Sequence, residues 1–372
     1  MREGSKFFPE LFKRYDFSFF GVSTLIFLMG VLNLYSVTNA NNLSNHTGLY
    51  KTQMIYFGVS IIAGFITSII DLKTIYRYSY WFYFFNIFLL LLVLVLGDVG
   101  MGARRWLVIG PIRLQPSELM KITVVLALSR WFTRNNPDQE MGFKEVFVPF
   151  VIAAFPALLI IVEPDLGTGL LILLIFGVIA FYRSLRWKTI LIIGVLAVFS
   201  GSFIYKFGLK EYQQKRIITF INPDADAKGS GYNAIQSKIS IGSGKVFGKG
   251  YMKSSQASLN YLPENHTDFV FSVFNEEHGF LGASILIFLY LTLFYRLIWL
   301  SQSVTKIYQS ISAIGLMSIY FWHTFINMGM VMGILPIVGL PLPLMSYGGS
   351  SLLTFGIACG LATSISNSRN LF

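Results

Sequence analysis

The sequence predicts an all-α fold, a polytopic integral membrane protein with about ten transmembrane helices and a large extracytoplasmic loop between helices 7 and 8. Two observations support this prediction. Of the 372 residues, 54% are hydrophobic and 13% are charged, about half the ~25% of charged residues in soluble domains. Apolar runs of the length that crosses a bilayer, about 17–25 residues, recur from end to end. Lipid must therefore cover much of the surface, because a soluble domain could not bury so many apolar side chains.

The apolar runs follow one another with short polar breaks and one long break. They lie at 17–37, 53–71, 80–97, 117–133, 145–163, 165–183, 187–206, 268–298, 308–333 and 350–367. The eighth run is longer than one crossing needs, so we expect that helix to tilt or to protrude. The long break, about 207–267, is the predicted outer loop. No internal repeat divides the chain, so residues 1–372 are interpreted as a single membrane domain.

Basic residues in the short loops predict the orientation, since loops rich in Lys and Arg stay in the cytoplasm. One side carries Arg2, Lys6, Lys13 and Arg14, then Lys73 and Arg77, then Arg130, Arg134 and Lys144, then Arg183, Arg186 and Lys188, then Arg296 and Lys306, and finally Arg369. We expect this side to face the cytoplasm. Ten crossings then place both termini inside.

The opposite side also carries cations, in Arg104, Arg105 and Arg113 and in the outer loop. They predict an anionic partner at the outer face, with attraction to anionic lipid headgroups as the simpler alternative. The net charge of +11 is therefore attributed to topology and lipid contact, and not to nucleic acid. Apolar residues between glycine-rich turns of the outer loop predict an amphipathic segment at 232–241 that lies against the membrane surface.

Ionisable residues near a membrane are candidates for function, because their burial is costly. The first cluster is Arg104-Arg105-Trp106, followed by Gln115, Glu118 and Lys121. Pro116 suits the first turn of a helix. Glu118 and Lys121 are spaced i,i+3 and can pair on one helix face. A purely structural ion pair with interfacial Arg and Trp anchors would explain the same pattern.

Two further clusters lie at predicted helix ends. Glu163 and Asp165 flank a proline between two runs, where Asp165 could simply cap the following helix. A Pro- and Gly-rich stretch from Gly333 to Ser350 contains Ser346 and Tyr347. Irregular backbone at membrane depth must line a cavity or be buried in protein, so this stretch is a candidate site or a structural re-entrant loop.

The last cluster, Glu264 to Asp268, opens the eighth run and includes His266. Thr267 is the expected N-cap of that helix, which would place Asp268 in its first turn. There the helix dipole would favour the ionised carboxylate and lower its pKa. Capping alone would also explain these residues. Asp224-Ala-Asp226 resembles the metal-binding motif of some glycosyltransferases, but three residues in a polar turn are weak evidence.

Taken together, these clusters resemble the SEDS family (shape, elongation, division and sporulation). The matching segments are GARRWL, QPSELMKI, EPDLGT, GSGYNAIQSKISIGSGKVFGKG, LPENHTDFVFSVFNEEHG and GILPIVGLPLPLMSYGGSS, which cover nearly the whole chain in the family's order. Within the family, INPDADAKGSGYNAIQSKISIGSG and GMVMGILPIVGLPLPLMSYGG are closer to the rod-shape branch than to the division branch.

The resemblance implies a peptidoglycan glycosyltransferase of the bacterial cytoplasmic (inner) membrane. It implies polymerisation of lipid II at the extracytoplasmic face during cell elongation, with a β-1,4 bond, inversion and release of undecaprenyl pyrophosphate. It also implies two kinds of partner: a class B penicillin-binding protein, which is a transpeptidase, and the MreB, MreC and MreD elongation machinery.

The resemblance also implies roles for individual residues. Asp268 matches the family's essential aspartate and is the expected catalytic base. Arg104, Arg105 and Lys121 would supply positive charge for the pyrophosphate and the sugars. The other expected substrate-binding residues are Trp106, Gln115, Glu118, Asp165, Lys245, Glu264, His266, Ser346 and Tyr347. A divalent cation, Mg²⁺ or Mn²⁺, could assist, although the sequence shows no closed metal site and no metal ligand is assigned.

Two other functions fit the same composition: a lipid II flippase, and a non-catalytic scaffold for the penicillin-binding protein. A flippase needs a polar path through the whole bilayer. Here the acidic residues are expected to gather towards one face, which favours the enzyme.

Overall fold

The computed structural model describes residues 17–39, 48–100, 103–110, 112–135, 140–203, 211–223, 230–259, 261–262 and 264–369. The predictions for the two chain ends and for the Asp224-Ala-Asp226 motif lie outside the described residues.

Ten long helices form the bundle in the described part of the chain, one for each predicted apolar run. They are α1 (Phe17–Asn39), α2 (Leu49–Ile69), α3 (Leu72–Leu96), α4 (Pro116–Asn135), α5 (Phe143–Val162), α6 (Leu166–Tyr182), α7 (Trp187–Phe203), α11 (Val270–Ser303), α12 (Ile307–Met332) and α13 (Gly349–Arg369). Three shorter helices occupy the outer loop: α8 (Glu211–Ile221), α9 (Ser230–Ser243) and α10 (Ser255–Ser258). The predicted all-α membrane architecture is therefore confirmed.

Seven of the described helices are long and apolar enough to cross a membrane by themselves. Of the other three, α6 and α7 have 17 residues each. Helix α4 begins at Pro116, as the sequence predicts, and carries four charged residues, at positions 118, 121, 130 and 134. These three helices differ from the other seven in their length or their charge.

A small antiparallel sheet, absent from the sequence prediction, connects α3 to α4. Its strands are β1 (Asp98–Gly100), β2 (Ala103–Ile109) and β3 (Ile112–Leu114), in the order β1-β2-β3. Gly110 has φ +61° in the tight turn between β2 and β3, a conformation that glycine adopts without steric cost. The sheet therefore carries Arg104, Arg105 and Trp106 on a strand.

Helix α9 contains the predicted segment 232–241, but its buried side is polar. Ser237 Oγ donates to Val331 O at 2.6 Å, and Ser240 Oγ donates to Ser272 O at 3.0 Å. Ile239 is exposed. Serines therefore fix this helix to α11 and α12, because their short side chains allow close approach and their hydroxyls bind free carbonyls.

The Glu276 carboxylate fixes the rest of the outer loop to α11. It is fully buried and accepts hydrogen bonds from Lys249 Nζ (2.5 Å), Ser254 Oγ (2.5 Å) and both Oγ (2.6 Å) and N (3.1 Å) of Ser255. Gly279, with φ +63° and ψ −164°, interrupts the helix just beyond. A buried charge is tolerated here because hydrogen bonds satisfy both of its oxygens.

Helices α2 and α13 cross at very short distance through glycines. A Cβ added at Gly64 would lie 2.6 Å from Gly356 O, and one added at Gly356 would overlap Ser60 O. Small residues at such crossings let backbones approach, which drives helix association where lipid removes the usual hydrophobic gain. Gly58, on the same helix α2, faces open space within 4 Å.

We predict that Gly356→Ala destabilises the protein by about 1–3 kcal/mol, because the added methyl group must push two helices apart. Thermal unfolding in detergent measures the effect. Gly58→Ala is the matched control and should be neutral or slightly stabilising, since alanine is the better helix former. Equal melting temperatures for both variants would contradict the close crossing.

Candidate functional site

Asp268 lies in the turn that leads into α11, and not inside the helix. Glu264 O accepts hydrogen bonds from the backbone N of Thr267 and of Phe269, both at 3.2 Å. The hydroxyl of Thr267 donates to Glu264 Oε2 at 2.8 Å. The helix begins at Val270 with Phe269 at the N-cap position and no side-chain cap. The prediction of Thr267 as the N-cap is therefore wrong, because its hydroxyl closes the turn instead.

The irregular segment after α12 holds this turn in place. Asn327 Nδ2 donates both to Asp268 O (2.9 Å) and to Leu340 O (2.7 Å). Ser346 Oγ donates to Thr267 O at 2.6 Å. These bonds satisfy backbone carbonyls of both irregular segments, as membrane depth requires.

Two more contacts complete the junction. Tyr347 N donates to His266 O at 2.9 Å, and the His266 and Tyr347 rings have centroids 6.1 Å apart. Gly339 has φ +75°, and a Cβ there would lie 3.2 Å from Asp268 Oδ2. Glycine thus leaves room beside the carboxylate. The structure brings together the predicted residues His266, Asp268, Ser346 and Tyr347.

The Asp268 carboxyl is more basic than an ordinary aspartate. Burial, together with the charges of Glu264 and Asp165, raises its pKa to about 6 against the opposing charges of Arg216 and Arg105. The expectation of a pKa lowered by the helix dipole is therefore wrong. Asp268 precedes the helix, and its burial outweighs both arginines.

Strand β2 joins the site through the turn between α5 and α6. Arg105 Nε donates to Glu163 O at 3.4 Å, and its guanidinium also donates to Pro164 O. Gln115 Nε2 donates to Asp165 Oδ2 at 3.4 Å. Asp165 Oδ1 accepts from Thr168 N at 3.1 Å, which confirms the predicted helix cap.

Glu163 is a buried carboxyl beside these residues. Neither of its oxygens accepts a hydrogen bond from the described residues. Burial, and then the neighbouring Asp165, raise its pKa to about 8 against the opposing charge of Arg105. Glu163 is therefore mainly protonated at neutral pH, which limits the negative charge that gathers beside Asp165.

The predicted pair of Glu118 and Lys121 is confirmed and extended by a third residue. Lys121 Nζ lies 2.7 Å from Glu118 Oε1 and 2.7 Å from His323 Nε2. An ammonium only donates, so Nε2 accepts and the opposite ring nitrogen donates to Pro341 O at 3.2 Å. All three side chains are buried. The bond to Pro341 O indicates that these three residues position the 333–348 segment. The predicted contact of Glu118 and Lys121 with substrate stays a prediction.

Three other predicted residues lie nearer the surface. Arg104 is exposed and Trp106 is half-buried, and both are on β2 next to Arg105. Lys245 is exposed on the outer loop, where its carbonyl accepts from Phe280 N at 2.9 Å. Their substrate-binding roles stay predictions.

Sequence reasoning missed several residues that shape the site. Arg216 was only one cation among eight in the outer loop. Helical spacing in α8 would have separated Arg216 from its exposed neighbour Lys215. Three more residues lie on apolar helices: His323, Asn327 and Gln53. Gln53 Nε2 donates to Ser346 O at 2.9 Å, although the two residues are far apart in sequence. Buried polar groups in apolar runs were the available indication.

Comparison with known proteins identifies the family of the chain. Residues 16–371 match the model of the FtsW/RodA/SpoVE family of cell cycle proteins. The chain belongs to this family. Within it, the chain is 41% identical over 278 residues to the peptidoglycan glycosyltransferase MrdB of Escherichia coli, with 74% of each protein covered. It is also 33% identical over 352 residues to stage V sporulation protein E of Bacillus subtilis, covering 93% of this chain and 95% of that protein.

Solved structures share this architecture. One is a chain from a structure described as "Structural coordination of polymerization and crosslinking by a peptidoglycan synthase complex", with a TM-score of 0.83 and 28% identity over 96% of this chain and 99% of that chain. Another is the rod shape determining protein RodA of Thermus thermophilus, with a TM-score of 0.71 and 26% identity over 96% of this chain and 98% of that chain.

We predict that Glu118→Ala destabilises the protein by about 3–5 kcal/mol, because it leaves the Lys121 ammonium buried without its counter-charge. The double variant Glu118→Leu with Lys121→Met removes both charges and should cost less. Thermal unfolding of the purified variants measures both effects.

Lys144→Met is the control for loss of an exposed lysine and should change the melting temperature little. A Glu118→Ala protein as stable as the wild type would show that the buried pair contributes nothing.

Proposed function

We propose that this chain is a peptidoglycan glycosyltransferase that polymerises lipid II during cell elongation. The observation that carries the proposal is the Asp268 carboxylate, which burial makes more basic and on which the charges of Arg105 and Arg216 act. Support comes from the relatives named peptidoglycan glycosyltransferases and from the fold shared with RodA. These relatives favour the enzyme over a flippase or a scaffold.

The reaction needs one base and positive charge. The 4-hydroxyl of the acceptor sugar attacks C1 of the donor, the C1–O bond to the pyrophosphate breaks, and the configuration at C1 inverts. The hydroxyl proton moves to Asp268. The departing pyrophosphate takes the bonding electrons and is stabilised by cations, so no second acid is needed. We assign Arg104 and Arg105 to this positive field.

The neighbouring carboxyls suit the role of base less well. One oxygen of Asp165 caps α6 and the other accepts from Gln115. Glu264 accepts a hydrogen bond from the Thr267 hydroxyl. The pKa of Glu163, raised to about 8, keeps that carboxyl protonated at neutral pH. Unlike Glu163, Asp268 combines a raised pKa with ionisation near neutral pH.

A divalent cation stays a proposal without assigned ligands. The described residues contain no group of three or more His, Cys, Asp or Glu side chains that could hold an ion.

We place the site at the extracytoplasmic face of the bacterial inner membrane, with both termini cytoplasmic. The loop charges support this orientation. A class B penicillin-binding protein is the proposed crosslinking partner, supported by the similarity to a chain of a peptidoglycan synthase complex. Participation with MreB, MreC and MreD is proposed from the family resemblance.

We predict that Asp268→Asn lowers glycan polymerisation by about 10²–10⁴-fold, because the amide cannot accept the acceptor proton. Purified protein with lipid II and its partner, followed by gel analysis of glycan chains, measures the loss. Asparagine matches the size of aspartate, and only the backbone of Asp268 bonds to Asn327, so the melting temperature should change little. Robust polymer from Asp268→Asn would exclude this residue as the base.

We predict a polymerisation rate that rises with pH through about 6 and then levels, because Asp268 accepts a proton only when it is ionised. Below the midpoint the rate should fall about tenfold per pH unit. Glu264→Gln removes a charge that raises the Asp268 pKa, so its midpoint should move to lower pH.

The matched control is Glu140→Gln, which removes an exposed carboxylate elsewhere on the chain and should leave the midpoint unchanged. A midpoint that Glu264→Gln does not move would show that another group controls the profile.

A further inference from the structure

A basic pocket lies between the outer helices and the segment that follows α12. Gly339 of the same segment lies next to the Asp268 carboxylate. Two cations, Arg216 of α8 and Lys238 of α9, line it together with Thr219, Gly333, Leu335 and Pro336. The pocket therefore combines positive charge with the apolar wall that a lipid-linked anion would contact.

Several contacts hold Lys238 at this pocket. Its neighbour Ser237 binds Val331 O, which fixes α9 against the end of α12. Gly333 ends α12 with φ +75°, and a Cβ there would overlap the Lys238 side chain. Only glycine allows both that backbone conformation and the passage of the lysine. Neither of the two ion pairs among the described residues uses Lys238.

Arg216 connects the pocket to Asp268. Its charge acts on the Asp268 carboxyl more strongly than that of Arg105 does. Arg105 belongs to β2, and its guanidinium already donates to the backbone of Glu163 and Pro164. Arg105 of β2 and Arg216 of α8 thus both act on the Asp268 carboxylate. Of these two arginines, only Arg216 lines the pocket.

We infer that Arg216 and Lys238 form a second diphosphate-binding pocket, distinct from the cations of β2, which holds one of the two lipid-linked substrates beside Asp268. This inference rests on the proposed function. The two lipid-linked substrates carry two diphosphates. The acceptor hydroxyl lies one disaccharide away from its own diphosphate, so this diphosphate and the departing one occupy different places, and each needs its own cations to offset its charge. The reaction itself is unchanged: these residues bind and position, and Asp268 takes the proton.

The test uses full-length protein in phosphatidylcholine nanodiscs, which carry no net lipid charge. Two measurements are made: binding of inorganic pyrophosphate by calorimetry, and the KM and kcat for lipid II polymerisation with the partner. The variants are Arg216→Ala and Lys238→Ala, with Arg216→Lys and Lys238→Arg as charge-keeping versions. Lys215→Ala is the matched control, because Lys215 is exposed on the same helix and lies outside the pocket.

We expect each alanine variant to bind pyrophosphate about tenfold more weakly and to raise KM by a similar factor, since one charge-assisted contact is lost. The kinetics are measured about two pH units above the Asp268 midpoint, so that loss of the Arg216 charge leaves Asp268 ionised and kcat nearly unchanged. The charge-keeping variants should recover most of the binding, which separates this result from misfolding. Lys215→Ala should behave as the wild type.

Unchanged pyrophosphate binding and KM in both alanine variants would overturn the pocket while leaving the proposed function intact. Wild-type protein that makes no polymer would instead overturn the proposed function, and the pyrophosphate measurement would still decide the pocket. A third arm adds phosphatidylglycerol. If that lipid displaces pyrophosphate from the wild type without slowing polymerisation, the pocket binds lipid headgroups and the inference is wrong.

Discussion

The site depends on two irregular segments that satisfy each other's backbone. The turn at 264–269 and the segment at 333–348 interrupt the helices, so their peptide groups lack the bonds that a helix supplies. Asn327 bridges Asp268 O and Leu340 O, and Ser346 reaches Thr267 O. In a low-dielectric setting each backbone N–H or C=O group without a hydrogen bond would cost roughly several kcal/mol. Neither segment is therefore stable without the other. The catalytic carboxylate is therefore positioned by the same bonds that permit its irregular backbone.

Buried charges follow the same rule. The buried Glu276 carboxylate is tolerated because it accepts hydrogen bonds from donors of the outer loop. The buried Lys121 ammonium is tolerated because it contacts both Glu118 and His323. Each network joins elements that are distant in sequence. Glu163 is the exception, with no hydrogen bond to its carboxyl from the described residues, and its raised pKa shows the alternative solution: the group takes up a proton.

The sequence predicts the helices well because membrane crossing requires long apolar runs, which are local features. It also predicts the Glu118–Lys121 pair and the Asp165 cap, since i,i+3 spacing and capping act within one turn. It misses the small sheet, because apolar and polar residues alternate only weakly along its strand β2. It also misses His323, Asn327 and Arg216. Each of those residues interacts with a residue more than fifty positions away, His323 with Lys121 and both Asn327 and Arg216 with Asp268, and no local pattern records such a contact.

The error about the Asp268 pKa is the most instructive of these differences. The helix dipole lowers the pKa of a carboxyl that lies in the first helical turn and faces solvent. The turn instead holds Asp268 before the helix, partly buried and near Glu264, where desolvation is the larger effect. With a pKa of about 6, roughly nine in ten molecules are still ionised at pH 7, yet the carboxylate is a stronger base than an ordinary aspartate. The arginines then have two opposing effects. They attract anionic substrate, and they also lower the basicity that the reaction uses. Placing them on separate segments, where burial still outweighs their effect on Asp268, lets the site keep both properties.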